Sequence, residues 1–181
     1  MPGVPDSPTG RYVVLEVSFQ FRLGNLSQPI GYAQLADRLG VHVGERVDAE
    51  RVREAVLDLR RSKGMVVDPT DHDTWSAGSF FTNPLLSVEE AERLPASAPR
   101  FAQPDGRVKT SAAWLIEHAG FGKGFGTGPA RLSSKHPLAL TNHDGATAED
   151  IIRLARHVRD GVFDAFGVRL TPEPVLVGVR M

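Results

Sequence analysis

The residues best equipped for chemistry lie in Ser76-Ala77-Gly78-Ser79-Phe80-Phe81-Thr82-Asn83-Pro84, where a hydroxyl stands beside a glycine and two rings, and an amide side chain follows. Glycine lets backbone approach a bound group closely, and the rings exclude water from one side of a pocket. Ser79 and Asn83 then remain as the polar groups that orient a ligand. Taken alone, Gly78-Ser79-Phe80-Phe81 reads as a turn leading into a buried aromatic pair; only the surrounding residues favour a site. Far along the chain, Glu173 sits between Pro172 and Pro174. The prolines fix the backbone and remove two amide donors, so the carboxylate is presented rigidly. A functional acid and a turn residue are about equally good readings of it.

Other candidates are weaker. In Gly120-Phe121-Gly122-Lys123-Gly124-Phe125-Gly126-Thr127-Gly128 the lysine precedes a glycine, and the run follows a predicted helix. Neither the phosphate loop nor the dinucleotide fingerprint has that context. Backbone amides together with Lys123 could still hold a diphosphate. Asp71-His72-Asp73 lacks a second cluster at ligand spacing, which favours a solvated loop and no metal. His136 precedes a short apolar run and reads as either a surface residue or a ligand contact, with spacing alone favouring the surface.

Elements must position these groups. Tyr32 to Leu39 predicts a short helix ended by Gly40, and Asp48 caps a longer one. In the latter, Val52, Ala55, Val56 and Leu59 share a face, basic residues gather at its end, and Gly64 closes it. Ser87-Val88-Glu89-Glu90 is a capping-box pattern. Ser111 to Ala119 predicts another helix, and Thr147-Ala148-Glu149-Asp150 opens one whose apolar face runs to Phe166 before Gly167. Leu15, Val17, Phe19 and Phe21 alternate as a strand does. Leu138 to Leu140, Val168 to Leu170 and Val175 to Val179 are further strand candidates, and the Ser79 segment reads as a loop. Helices and short strands without regular βαβ alternation indicate an α+β fold: a short mixed or antiparallel sheet flanked by helices.

The totals narrow the function classes. A chain of 181 residues and 19.6 kDa could form one generous domain or two small ones, burying roughly 70% of its unfolded surface. A formal net charge of -1 gives no electrostatic reason to expect nucleic acid or an anionic membrane as partner. The absence of cysteine excludes disulfides, thiol catalysis and thiolate metal sites. No apolar run is long enough to span a bilayer and no export signal opens the chain, so the cytoplasm is the expected compartment.

Taken in order, several segments resemble the C-terminal half of the MurB-type UDP-N-acetylenolpyruvoylglucosamine reductases. They are Ala77 to Pro84, Pro104-Asp105-Gly106-Arg107-Val108-Lys109 with Ala112-Ala113-Trp114-Leu115-Ile116, Lys135 to Asn142, Ala146 to Asp150, and Phe166 to Pro174. The resemblance runs from about Arg11 to Gly178. It implies reduction of the enolpyruvyl ether of UDP-N-acetylglucosamine to UDP-N-acetylmuramate, with NADPH reducing a bound FAD and hydride then reaching substrate C3. It makes Ser79 the proton donor to C2 and Glu173 the acid that stabilises the enolate. Asn83, His136 and Lys63 match substrate contacts, and Lys109 and Lys123 match basic residues facing the UDP portion. Phe101 stands where some members have a tyrosine packed on the uracil, and Thr82 replaces a common lysine.

The family's flavin-binding region and an enolate-stabilising arginine correspond to sequence before Arg11. The resemblance therefore implies a fragment. Residues 1–64 would be a linker plus the last strand and helix of the FAD-binding domain, and 65–181 the UDP-sugar domain with a returning tail. Such a chain is expected to bind FAD weakly and not to turn over alone, its partner being the FAD-binding half. The alternative is a non-catalytic UDP-sugar-binding module; retention of both Ser79 and Glu173 favours the reductase.

Overall fold

In the computed structural model residues 13–181 are described, and the predicted N-terminal linker lies outside them. The chain divides into two compact units, one ending at Val66 and the other running Val67–Met181.

The first unit is a helix pair. Helix α1, Ala33–Leu39, stops where Gly40 adopts φ 70°, and α2, Ala49–Ser62, starts where an Asp48 carboxylate oxygen accepts from the Glu50 and Arg51 amides at 3.1 Å each. Ile30, Ala36 and Val47 form a small core backed by Leu35, Leu39, Val41 and Val52. Arg38 and Asp58 join the two helices at 2.7 Å, an exposed pair of little energetic weight.

The predicted strand over Leu15 to Phe21 does not form. Val13, Leu15, Phe19 and Phe21 are all largely exposed, and no described residue pairs with this stretch. Alternation marks a face that could be buried, but a strand exists only when a neighbour takes up its backbone hydrogen bonds.

The second unit is α+β, with two three-stranded antiparallel sheets. One orders as β1-β6-β5, from β1 (Ser76–Ser79), β5 (Ala130–Leu132) and β6 (Ala139–Asn142); the other as β2-β4-β3, from β2 (Leu85–Leu86), β3 (Phe101–Ala102) and β4 (Val108–Lys109). Helices α3 (Val88–Glu92), α4 (Ala112–His118) and α5 (Ala148–Phe166) cover them, the first opened by the capping box that the sequence predicts at Ser87 and the last by a further box at Thr147. Helix α5 packs on β5, β6 and α4 through Ile152, Leu154, Ala155, Val158 and Val162. Burial of each large aliphatic side chain is worth about 1.5–3 kcal/mol, whereas its Arg153–Asp150 surface pair is worth about 0.3–0.5 kcal/mol; apolar packing holds the helix in place.

Two further expectations are corrected. Ser76–Ser79 is an edge strand rather than a loop, because β6 supplies the partners Thr141 and Ala139. Val168 to Leu170 and Val175 to Val179 form no strands; the prolines at 172 and 174 limit this stretch to an isolated bridge between Phe81 and Pro172.

Gly161 lies mid-helix in α5, where a Cβ would enter the Phe121 ring. Alanine there gains up to about 1 kcal/mol of helix propensity, but displacing a ring already packed edge-on against Phe125 and His157 costs about 1–3 kcal/mol. Gly161→Ala is therefore expected to lower the denaturation midpoint; a raised midpoint would show that Phe121 moves freely.

Candidate functional site

The site is built on the bulge in β1. Register shifts between Ser76 and Ser79, and Gly78 takes φ 82°, a left-handed conformation open to glycine at no steric cost. Beyond β1 the chain continues extended and meets the tail. Thr82 N–H donates to Thr171 O at 3.0 Å and Glu173 N–H to Phe80 O at 2.8 Å, flanking the Phe81–Pro172 bridge. Glu173 thus spends its one amide on the backbone beside Ser79.

These ties bring Ser79 and Glu173 to one cavity of about 380 Å³, whose walls also include Phe81, Asn83, Gln103, Lys109 and Leu138. Phe81 is 1% exposed and forms the apolar wall. Among the described residues, the Ser79 hydroxyl and the Glu173 carboxylate have no hydrogen-bonding or ion-pairing partner, so both remain available to a ligand.

Asn83 has a structural task as well. Its Oδ1 accepts from Ala112 N–H at 2.9 Å, fixing the start of α4 and leaving its NH₂ group as the donor for a ligand. Lys109 stands in β4 directly opposite Leu85 on one side and Phe101 on the other. An exposed ammonium is thereby placed next to an exposed ring, an arrangement suited to a phosphate attached to a planar base. Phe101 is not part of the cavity wall itself.

Gln103 was not apparent from the sequence. It lines the cavity from the β3–β4 hairpin, with its side-chain amide donating to the Phe101 and Ala102 carbonyls at 3.0 and 3.2 Å. Its signal was the Pro104-Asp105-Gly106 turn following a short extended run.

The remaining candidates lie off this cavity. Lys123 is exposed in the glycine-rich turn, which Gly124 N–H ties to Ser133 O at 3.2 Å. His136 is half-buried rather than a plain surface residue: its Nδ1 accepts from Leu138 N–H at 3.1 Å, and Leu138 O accepts from Phe80 N–H at 2.7 Å. That chain of contacts connects His136 to the residue following Ser79. Lys63 belongs to the first unit, where its Nζ donates to Gln34 Oε1 at 3.1 Å.

Asp71-His72-Asp73 is not a solvated loop. Asp73 is 8% exposed and accepts from both the amide and the hydroxyl of Ser134, while Asp71 pairs with Lys135. Burial pushes the Asp73 carboxyl up, but Ser134, Ser133 and Lys135 more than offset it and hold it below the ordinary aspartate value. The hydrogen bond from Lys135 to Asp71 keeps that ammonium protonated more firmly than usual. No group of residues suited to a metal ion occurs among the described residues, and none of the helices described is long and apolar enough to cross a membrane.

A second cavity, of about 600 Å³, adjoins the first along β1. Trp75, Ala77, Gly78, Phe80, Ile151 and Pro174 line it, so the chain changes cavity between Gly78 and Ser79, again at Phe80, and between Glu173 and Pro174. Its walls are mainly apolar, with Thr74, Ser76 and Asn142 as the polar side chains and no charged one, and Gly78 leaves open space where a Cβ would stand. These features fit one face of a planar aromatic cofactor. They do not fit a diphosphate, which needs donors or cations.

Residues 68–177, more than half of the chain, match the family profile described as UDP-N-acetylenolpyruvoylglucosamine reductase, C-terminal domain. Curated proteins of that enzyme name are similar over almost all of the chain. The Cutibacterium acnes protein is 62% identical over 93% of this chain and 45% of its own length. The Thermobifida fusca protein is 55% identical over 94% and 51%, and the Mycobacterium tuberculosis H37Rv protein 56% over 93% and 48%. The chain spans about half the length of the curated relatives it matches. With the profile match covering the unit that carries Ser79 and Glu173, the chain belongs to the UDP-N-acetylenolpyruvoylglucosamine reductase C-terminal domain family.

Proposed function

We propose that this chain is the substrate-binding part of an FAD-dependent, NADPH-using oxidoreductase that converts UDP-N-acetylglucosamine enolpyruvate to UDP-N-acetylmuramate for peptidoglycan synthesis. The observation that carries the proposal is the meeting of Ser79 and Glu173, remote in sequence, in one cavity with Asn83 and Lys109. A module that only bound the nucleotide sugar would need the basic and amide side chains but neither of the other two.

The chemistry adds hydride to C3 of the enolpyruvyl double bond and a proton to C2, a flavin supplying the hydride when bound. Ser79 gives its hydroxyl proton to C2 and is reprotonated from solvent. A serine hydroxyl is a weak acid, so this step needs a strongly basic carbon and dry surroundings, and Phe81 keeps water from one side. When protonated, Glu173 directs an O–H donor at the enolate oxygen, a contact that strengthens as charge develops there. Lys109 and Lys123 hold the diphosphate, Asn83 and His136 contact other parts of the substrate, and Phe101 stacks on the uracil. The residues that fit a flavin ring are Trp75, Ala77, Gly78 and Pro174 in the apolar cavity. Most of the dinucleotide would lie against the FAD-binding half, so the isolated chain is expected to retain little flavin and to lack turnover.

Titrating UDP-N-acetylglucosamine into the purified chain tests the binding half of this reading, with saturable heat as the expected result. Lys109→Ala should weaken binding roughly 10- to 100-fold, the value of a hydrogen bond to a charged group. Lys109 is exposed and has no ion-pair partner among the described residues, so unfolding cannot account for such a loss. A flat titration with wild-type chain rejects the assignment. Supplying the N-terminal half of the Cutibacterium acnes relative in trans tests catalysis, and saturable binding without restored reductase activity would leave a non-catalytic module.

A further inference from the structure

Asp73 is the one charged residue that is buried among the described residues. A buried carboxylate is costly unless fully bonded, and this one is bonded almost wholly to a turn distant in sequence. Its Oδ1 accepts from Ser134 N–H at 2.9 Å and its Oδ2 from the Ser134 hydroxyl. Asp71, whose Oδ1 accepts from Asp73 N–H at 3.0 Å, takes the Lys135 ammonium with its other oxygen. Both ammonium and hydroxyl are therefore committed to holding the turn.

What the turn carries is His136. Ser133, fully buried, accepts with its hydroxyl oxygen from Lys135 N–H at 3.0 Å and from His136 N–H at 3.2 Å. The His136 ring is then fixed by Leu138 N–H donating to Nδ1, which requires a neutral ring to carry its proton on Nε2. The same turn anchors the Lys123 loop through Gly124 N–H on Ser133 O.

We propose that Asp73 is a positioning residue: it clamps the turn at 133–136 so that His136 is held in the Nε2–H tautomer and in register with the Leu138–Phe80 backbone contact beside Ser79. This rests on the reading of His136 as a substrate contact, and it assigns the buried carboxylate a task that stability alone does not require. Lys135, paired with Asp71, belongs to the clamp.

The test uses the 181-residue chain labelled with nitrogen-15 in its histidines, with Asp73→Asn, Asp73→Ala and Ser134→Ala compared with wild type. In wild type the His136 ring should show one fixed neutral tautomer with its proton on Nε2. Asp73→Ala should convert this to averaged tautomer signals and weaken UDP-N-acetylglucosamine binding roughly tenfold, the loss expected for a misplaced polar contact. Asp73→Asn, which keeps an acceptor for Ser134 N–H, should recover most of both. Ser134→Ala removes the hydroxyl but keeps the Ser134 N–H bond to Asp73, so it is the milder variant and serves if Asp73→Ala does not fold; it should shift the His136 signals the same way to a smaller degree. Unchanged His136 signals in a folded Asp73→Ala or in Ser134→Ala overturn the proposal. The signals decide it even if wild type binds no nucleotide sugar, a result that would instead reject the proposed function.

Discussion

If Ser79 is the proton donor proposed above, replacing it by alanine is expected to cut turnover of the two-part enzyme by about 10²- to 10⁴-fold, the usual contribution of a positioned proton donor. The melting temperature should hardly move, because the hydroxyl has no protein partner among the described residues and the side chain is only half-buried. Substrate affinity should also be nearly retained, since Asn83 and Lys109 on the same cavity wall are untouched. The loss should therefore fall on kcat, the signature of an interaction made chiefly in the transition state. Measuring the two half-reactions separately sharpens the test: oxidation of the nicotinamide should be unaffected and consumption of the enolpyruvyl substrate slowed. Retention of kcat within a few-fold would show that C2 takes its proton from elsewhere, and Glu173 would be the next residue to examine.

Helices were the most legible part of this fold because their signals are local. Asp48, Ser87 and Thr147 each cap the helix that the sequence predicts, and Gly40 and Gly167 each end one in a left-handed conformation. Strands were not, because pairing is non-local. Ser76-Ala77-Gly78-Ser79 has no apolar alternation and is a strand only because β6 lies beside it, whereas Leu15 to Phe21 alternates well and has no described partner. Strands of two residues, as in the β2-β4-β3 sheet, are too short to have a period at all. The site divides the same way. Ser79 and Asn83 stand out as types within one segment, but spacing says nothing of Glu173 joining them, because that depends on two backbone hydrogen bonds between this segment and the tail, one donated from each side. Burial of Asp73 was equally hidden, since its partner Ser134 is remote in sequence and lies in a turn that looks merely polar.

Phe81 is where the packing of the second unit and its site depend on the same side chain, and Phe81→Ala is expected to cost about 3–5 kcal/mol, as removal of a fully buried ring does. Against a total stability of about 5–15 kcal/mol for a native domain, that removes between about a fifth and all of the margin. The ring is 1% exposed, meets Phe80 edge-on at 5.1 Å, and sits at the bridge to Pro172 between the two bonds that hold the tail. Removing it takes away the apolar floor under both Ser79 and Glu173, so the tail should detach before the rest of the unit unfolds. Phe81→Leu keeps most of the volume and should cost less than about 1.5 kcal/mol, provided neighbouring side chains repack. Denaturant midpoints separate the two variants, and amide exchange at Glu173, whose N–H is bonded to Phe80 O, reports on the tail. Faster exchange at that amide in Phe81→Leu would mean that the shape of the ring, beyond its volume, keeps the acid beside the hydroxyl. If Phe81→Ala loses less than about 1 kcal/mol, the ring is not the wedge that joins tail to β1, and the cavity's geometry would have to be maintained by Leu170 and Pro172 instead.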